Sequence, residues 1–434
     1  MNISSLYSIF LSCSEVTTDS RDCKDQSLFF ALRGESFNGN AYAEKALTSG
    51  SAYVVVDDPF YYRANDTRYI WAENCLTTLQ QLANHHRKQF DIPVLGITGT
   101  NGKTTTKELL AAVLSTHFSV LFTQGNLNNQ IGVPLTLLRL KPQHQFAIIE
   151  MGASHKGDIK ELVEIAEPTF GLITNIGKAH IEGFGSLEGV KSTKEELYTY
   201  IAQKKEGFIF RNADDEILQE LSKNKNFGQF TYGSSAKENI MGRISTLNPY
   251  VSFEWKSQGS TDIQEVSTQL IGSYNLPNLL AAVSIGSYFN IPALAINKAL
   301  SNYAPQNNRS QLQHTAYNTL IIDAYNANPT SMQASLQNFI DMASDNKVVI
   351  LGEMGELGVI RKEEHQKVVE LIKGTTFDDV FLVGKTYSEF NHPYSTYRNV
   401  EELVNQLQAR PLKNKTILIK GSRSVHLEKA IPEL

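Results

Sequence analysis

The run Gly96-Ile-Thr-Gly-Thr-Asn-Gly-Lys-Thr-Thr105 constrains this chain more than any other feature. It follows the apolar stretch Ile92–Ile97 and opens Thr104–Thr116, which reads as a helix. A glycine-rich turn between strand and helix lets the backbone curl, so that its N–H groups converge on phosphate oxygens while the helix N-terminus adds its dipole. Gly99, Thr100, Asn101, Gly102 and Thr105 form such a cradle, Lys103 is set for the β- and γ-phosphates, and Thr104 for a magnesium ion. The strict spacing G-x-x-x-x-G-K-[ST] is broken, because Ile97 stands where its first glycine belongs. A glycine- and threonine-rich turn with one solvated lysine is the competing reading, which the strand–loop–helix context disfavours.

At 434 residues, 41% hydrophobic and 20% charged, the chain exceeds what one hydrophobic core serves. Three α/β domains are expected. Residues 1–90 mix strands (Ser27–Leu32, Ala52–Val56) with a helix (Leu76–Gln89). Residues 91–305 form a central unit around the phosphate loop, with buried parallel strands at Phe146–Glu150, Gly171–Thr174 and Gly207–Phe210. It also has a helix at Leu187–Ala202, added strands across 227–270 and a helix at Pro277–Phe289. Residues 306–434 alternate the strands Leu320–Asp323, Lys347–Leu351, Val380–Val383 and Thr416–Lys420 with helices, which predicts a Rossmann-like unit. A net charge of −5 argues against a general nucleic-acid binder. Three cysteines without metal-ligand spacing suit reduced thiols and a cytoplasmic setting. The N-terminus lacks a basic leader, and no run of about 18 apolar residues offers a membrane span.

Ligands in open α/β sheets bind at the carboxyl ends of strands. Glu150 ends a strand and either holds magnesium or is a solvated loop acid. His180, in Thr174-Asn-Ile-Gly-Lys-Ala-His180, is a ligand or a structural hydrogen-bonder. Val190, Lys194, Leu197 and Ile201 fall on one helical face, so Lys194 either snorkels to water or serves a site. Lys191, Glu195 and Tyr198 read as ordinary surface.

The phosphate-loop residues Gly96, Gly99, Thr100, Asn101, Gly102 and Lys103 resemble those of the Mur ligase family and of folylpolyglutamate synthases, which activate a carboxylate as an acyl phosphate for attack by an amine. Gly125-Asn-Leu-Asn-Asn-Gln-Ile-Gly-Val-Pro-Leu-Thr-Leu-Leu-Arg139, Asp323-Ala-Tyr-Asn-Ala-Asn-Pro-Thr-Ser-Met332, Leu351-Gly-Glu-Met-Gly-Glu-Leu-Gly358 and Lys420-Gly-Ser-Arg-Ser424 extend the Mur resemblance over nearly the whole chain. They point to the branch that adds D-alanyl-D-alanine, and the Asp-Asn-Pro-Arg motif of the diaminopimelate-adding branch is absent.

The resemblance implies an ATP- and magnesium-dependent ligase acting on UDP-N-acetylmuramoyl-tripeptide and D-alanyl-D-alanine, a monomer with no nucleic-acid partner. It implies magnesium ligation by Thr104, Glu150, His180 and a carbamylated Lys194. Asn275 and Asn278, in Gly272-Ser-Tyr-Asn-Leu-Pro-Asn278, match the adenine-contacting turn, although Tyr274 stands where many members have histidine. Arg309 matches a γ-phosphate contact and Asp323 a ribose-binding carboxylate. Ser20, Arg21 and Arg33 fall in the uridine-nucleotide domain, Asn126 and Asn129 in the 125–139 motif. Tyr325, Asn326 and Asn328 read as substrate contacts or turn residues, and Glu353 stands where aspartate is common. Lys420 and Arg423 match groups that hold the incoming dipeptide's carboxylate, with plain surface charge as the alternative. A folylpolyglutamate-type ligase is disfavoured by the ~90-residue domain before the phosphate loop. A phosphate-loop ATPase or nucleotide-binding scaffold would not need the 125–139 motif or the retained Lys103, Thr104, Glu150, His180 and Lys194.

Overall fold

Apolar strands buried on both faces need helices on either side, and the chain meets that need three times over. A computed structural model describes residues 2–306 and 308–434. It contains three sheets of four, nine and six strands, mostly parallel. The N-terminal sheet runs Val16–Thr17, Ser27–Phe30, Ser51–Val56, Tyr69–Trp71, all neighbours parallel. The helix Cys75–Arg87 packs beneath it and reaches the helix Asp158–Ala166 of the central unit.

In the central sheet Val94–Thr98 lies between Phe170–Ile173 and Phe146–Glu150, parallel to both. Every residue of Val94–Thr98 and Phe146–Glu150 is buried, as short apolar runs require. The expected additional strands across 227–270 are Gly228–Gly233, Ile240–Thr246, Tyr250–Ser257 and Gln264–Ile271, and Tyr250–Ser257 is antiparallel to both the strand before it and the strand after it. The expected helices appear as Lys103–Leu114, Leu187–Ala202 and Leu276–Tyr288.

The C-terminal sheet has the strand order Gln311–His314, Thr319–Asp323, Thr416–Lys420, Lys347–Gly352, Asp379–Val383, Ser395–Tyr397. Only the first pair is antiparallel. The carboxyl ends of its inner strands and of the central strands 94–98, 146–150 and 170–173 contribute to one cavity. No helix of the described residues is long and apolar enough to cross a membrane.

Candidate active site

The phosphate loop is held by the strand beside it. Thr174 Oγ1 donates to the Asn101 carbonyl at 2.6 Å, and Asn175 pairs with the Asn101 backbone through both ends of its amide, each at 3.0 Å. Gly99 (φ +140°) and Gly102 (φ +78°) have the backbone that the curl demands; a Cβ on Gly99 would lie 2.0 Å from Thr174 Oγ1. Lys103 Nζ donates back to the carbonyls of Gly99 at 2.8 Å and Thr100 at 3.1 Å. Burial pushes the Lys103 ammonium down from its ordinary pKa, with Glu150 opposing.

Glu150 is 1% exposed. Its Oε1 accepts from Thr104 Oγ1 at 3.2 Å and from Asn128 Nδ2 at 2.8 Å, while Oε2 has no hydrogen-bond donor among the described residues. An orphaned buried carboxylate oxygen next to a phosphate loop is suited to a hard cation. No three His, Cys, Asp or Glu side chains gather into a metal cage among the described residues. His180, in the left-handed region at φ +51°, reaches Glu356 of the C-terminal unit, Nδ1 to Oε2 at 2.5 Å. This bond holds the Glu356 carboxyl below its ordinary range.

Lys194 does not snorkel. It is 2% exposed, with Nζ 5.6 Å from the centre of the Phe184 ring. Desolvation, then the charge of Lys103, holds its amine well below the usual lysine range. Tyr198, expected on the surface, is fully buried, because the helix Leu187–Ala202 packs against the helix Asp158–Ala166 and also against strands of the sheet. The neighbouring lysine behaves as expected: Lys191 pairs with Glu220 at 3.1 Å.

From the C-terminal side, Asp323 and Lys420 face each other in register, Nζ to Oδ2 at 2.5 Å, with Lys420 1% exposed. The lysine expected to hold a substrate carboxylate thus already holds a protein one. The Arg309 guanidinium stacks 3.7 Å from the Tyr325 ring centre, its Nε buried without a hydrogen-bond partner among the described residues, and Arg423 lies 5.6 Å from the same ring. Asn328 caps the helix Pro329–Asp341 through Ser331 and donates Nδ2 to Asn101 Oδ1 at 2.8 Å, so it is both a turn residue and a contact to the phosphate loop. The Asn326 side chain accepts from the Ala327 N–H, and Asn129 Oδ1 accepts from the N–H groups of Ile131 and Gly132. Asn275 and Asn278 are linked by a 2.9 Å bond, and the remaining bonds of these amides go to Ile271 and Thr106. Tyr274 bonds Ser310, and Glu353 accepts from the Thr386 N–H.

The phosphate loop from Thr100 to Thr105, Glu150, His180, Asn275, Asn278, Arg309, Asp323, Tyr325, Asn326, Asn328, Lys420 and Arg423 line one cavity of about 710 Å³, together with Asn126 and Asn129, whereas Lys194 and Glu353 are not part of its lining. Ser20, Arg21 and Arg33 are not in it: Arg21 pairs with Asp19 at 2.7 Å and Arg33 with Asp57 at 2.9 Å, past the carboxyl ends of the N-terminal strands. Sequence reasoning overlooked Asn128, Asn175 and Glu356. Asn128 sat within a quoted motif, and Asn175 follows a strand that ends beside the phosphate loop.

Residues 97–286 match the Mur ligase middle domain, 308–423 the Mur ligase glutamate ligase domain, and 12–87 the Mur ligase family catalytic domain. The chain is 33% identical to the UDP-N-acetylmuramoyl-tripeptide--D-alanyl-D-alanine ligase of Bacillus subtilis, across 96% of this chain and 92% of that one. The chain belongs to the Mur ligase family. The Escherichia coli K12 protein of the same description is also 33% identical, across 96% of this chain and 93% of its own. A crystal structure of MurF from Acinetobacter baumannii superposes with a TM-score of 0.88 at 28% identity, covering 100% of this chain and 98% of the other. The Mur architecture accounts for the site's two-sided build, with the phosphate loop on one unit and Asp323, Tyr325 and Lys420 on the next.

Proposed function

We propose that this Mur ligase joins D-alanyl-D-alanine to UDP-N-acetylmuramoyl-tripeptide at the expense of ATP, a cytoplasmic step in peptidoglycan precursor synthesis. The observation that carries this reading is one cavity in which the phosphate loop faces Asp323, Tyr325 and Arg423, in a chain that matches ligases of that description along nearly its whole length.

ATP lies across the cavity with its phosphates in the 99–105 loop, its adenine against the 272–278 turn and its ribose near Asp323. The tripeptide carboxylate attacks the γ-phosphorus, the bond to the β-phosphate oxygen breaks, and ADP leaves an acyl phosphate. Lys103 and Arg309 neutralise charge that spreads over the transferring phosphoryl group. The dipeptide amine then attacks the acyl carbon, and the tetrahedral adduct expels phosphate and loses a proton to give the amide. Thr104, Glu150 and His180 would hold magnesium, which when bound offsets charge on the phosphate oxygens. Lys194 would join them as a carbamate, formed when its free amine makes an N–C bond with CO2 and releases one proton to leave an anion. Ser20, Arg21 and Arg33 serve the uridine end, where Arg21 and Arg33 must exchange their aspartate partners for phosphate oxygens. Binding energy from that remote end positions the reacting carboxylate.

Phosphate release is measured with ATP, magnesium, D-alanyl-D-alanine and a UDP-muramoyl tripeptide ending in lysine or in diaminopimelate, with the product weighed by mass spectrometry. Release that needs both substrates and yields the pentapeptide mass is expected. Release with ATP alone would point instead to an ATPase.

A further inference from the structure

Lys107 lies on the phosphate-loop helix Lys103–Leu114, one turn past Lys103 and Thr104, and it is among the largest fully buried side chains in the protein. Its exposure is 0%, and Nζ has no hydrogen-bond partner among the described residues. Burying an ammonium without a hydrogen-bond partner is costly, so packing alone does not account for lysine here. Two carboxylates stand near it: Glu108 Oε1 at 3.6 Å and Glu150 Oε2 at 3.9 Å, with the Phe122 ring centre 5.9 Å away. Glu108 is partly exposed, and its other oxygen accepts from Tyr303 at 2.8 Å. Glu150 is buried, and the oxygen nearest Lys107 is the one without a donor.

A buried ammonium on the loop helix and a buried carboxylate oxygen at a strand end, neither with a hydrogen-bond partner among the described residues, thus stand 3.9 Å apart, with Glu108 on the other side of the lysine. We infer that Lys107 is a positioning residue that acts through Glu150. Its charge balances and aims the carboxylate while no cation is present, and it weakens the site for a bare divalent ion, so that tight binding waits for a metal that arrives with nucleotide phosphates. The inference rests on the assignment of Glu150 as a cation ligand. Thr104 and Lys107, three residues apart on one helix, share a face toward Glu150, Thr104 meeting Oε1 and Lys107 lying nearer Oε2.

The test is manganese(II) binding to the nucleotide-free, full-length protein, read by electron paramagnetic resonance. It compares the parent, Lys107→Met, Glu150→Gln and the double variant. Lys107→Met is expected to bind manganese about tenfold more tightly than the parent, since one positive charge near the ion is gone. That gain is expected to vanish when Glu150→Gln is added. Equal affinity in parent and Lys107→Met, with Glu150→Gln weakened, overturns this inference alone. Affinity indifferent to Glu150→Gln overturns the ligand assignment and the inference together. Should Lys107→Met fail to fold, thermal unfolding decides. The double variant is expected to be more stable than Glu150→Gln, which leaves the buried ammonium with only the partly exposed Glu108 beside it. A double variant no more stable than Glu150→Gln overturns the proposal.

Discussion

Lys194 shows how far one side chain can be read from sequence and where the reading stops. Its place among Val190, Leu197 and Ile201 follows from helical periodicity, and all four are buried. Periodicity does not give the width of the buried arc. Tyr198 lies inside because the helix is covered from two directions, by the helix Asp158–Ala166 and by the sheet. Nor could spacing reveal that the Lys194 ammonium lies beside the Phe184 ring. Burial and the charge of Lys103 hold its amine well below the usual lysine range, and as a carbamate it would be an anion facing that charge. Lys194→Ala should therefore lower kcat by about 100-fold or more. Formate or acetate should restore part of the rate by filling the space with a carboxylate. Full activity without any added acid would remove Lys194 from the mechanism.

At the level of elements, the interior strands were legible, and of the edges only Gln264–Ile271 was, within the expected 227–270 strands. Val16–Thr17, Tyr69–Trp71, Val120–Phe122, Gln311–His314 and Ser395–Tyr397 escaped sequence reading, and each is the outermost strand of its sheet. An edge strand has a single ladder partner and one sheltered side, so a few residues suffice and no long apolar run marks it. The phosphate loop was legible because its geometry restricts residue type at each step. Gly102 is the sharpest case: at φ +78° a side chain is strained, and a Cβ would lie 2.6 Å from Asn278 Oδ1. The left-handed backbone costs an L-residue about 1–2 kcal/mol, and the Asn278 amide would have to move as well. Asn278 is itself bound to Asn275, so the disturbance reaches the adenine turn. Gly102→Ala should bind ATP about tenfold more weakly by calorimetry, with the fold intact by circular dichroism. Parental affinity in that variant would mean that the loop opens freely and that the observed curl is not required.

The docking of whole units lay beyond sequence reading, because its contacts join residues far apart in the chain and of unremarkable type. Asn101 meets Asn328 across 227 positions and Lys178 meets Glu364 across 186, at 2.8 Å each. Gly177 lies against Thr330, whose hydroxyl accepts from the Lys178 N–H at 3.2 Å. Together with His180 and Glu356, these contacts bring the C-terminal unit onto the loop that leaves Phe170–Ile173. Glu364 makes this docking sensitive to acid. Burial pushes its carboxyl up, but hydrogen bonds from Lys178 and Lys367 outweigh burial and leave it below the ordinary range. A carboxylate depressed by docking contributes stability that is fully present above the ordinary carboxylate pKa and is lost as pH falls through the lowered one. Docking should thus hold at neutral pH and loosen below about pH 4, where the exposed glutamates already titrate. Because Lys178 is 42% exposed, solvent screens the pair and the effect is modest. Small-angle scattering from neutral pH downward should show the parent expanding over that acid range. Glu364→Gln should start slightly expanded at pH 7 and lose this component of the acid response. Identical profiles for the two proteins would show that the units are held together by the amide and backbone contacts alone.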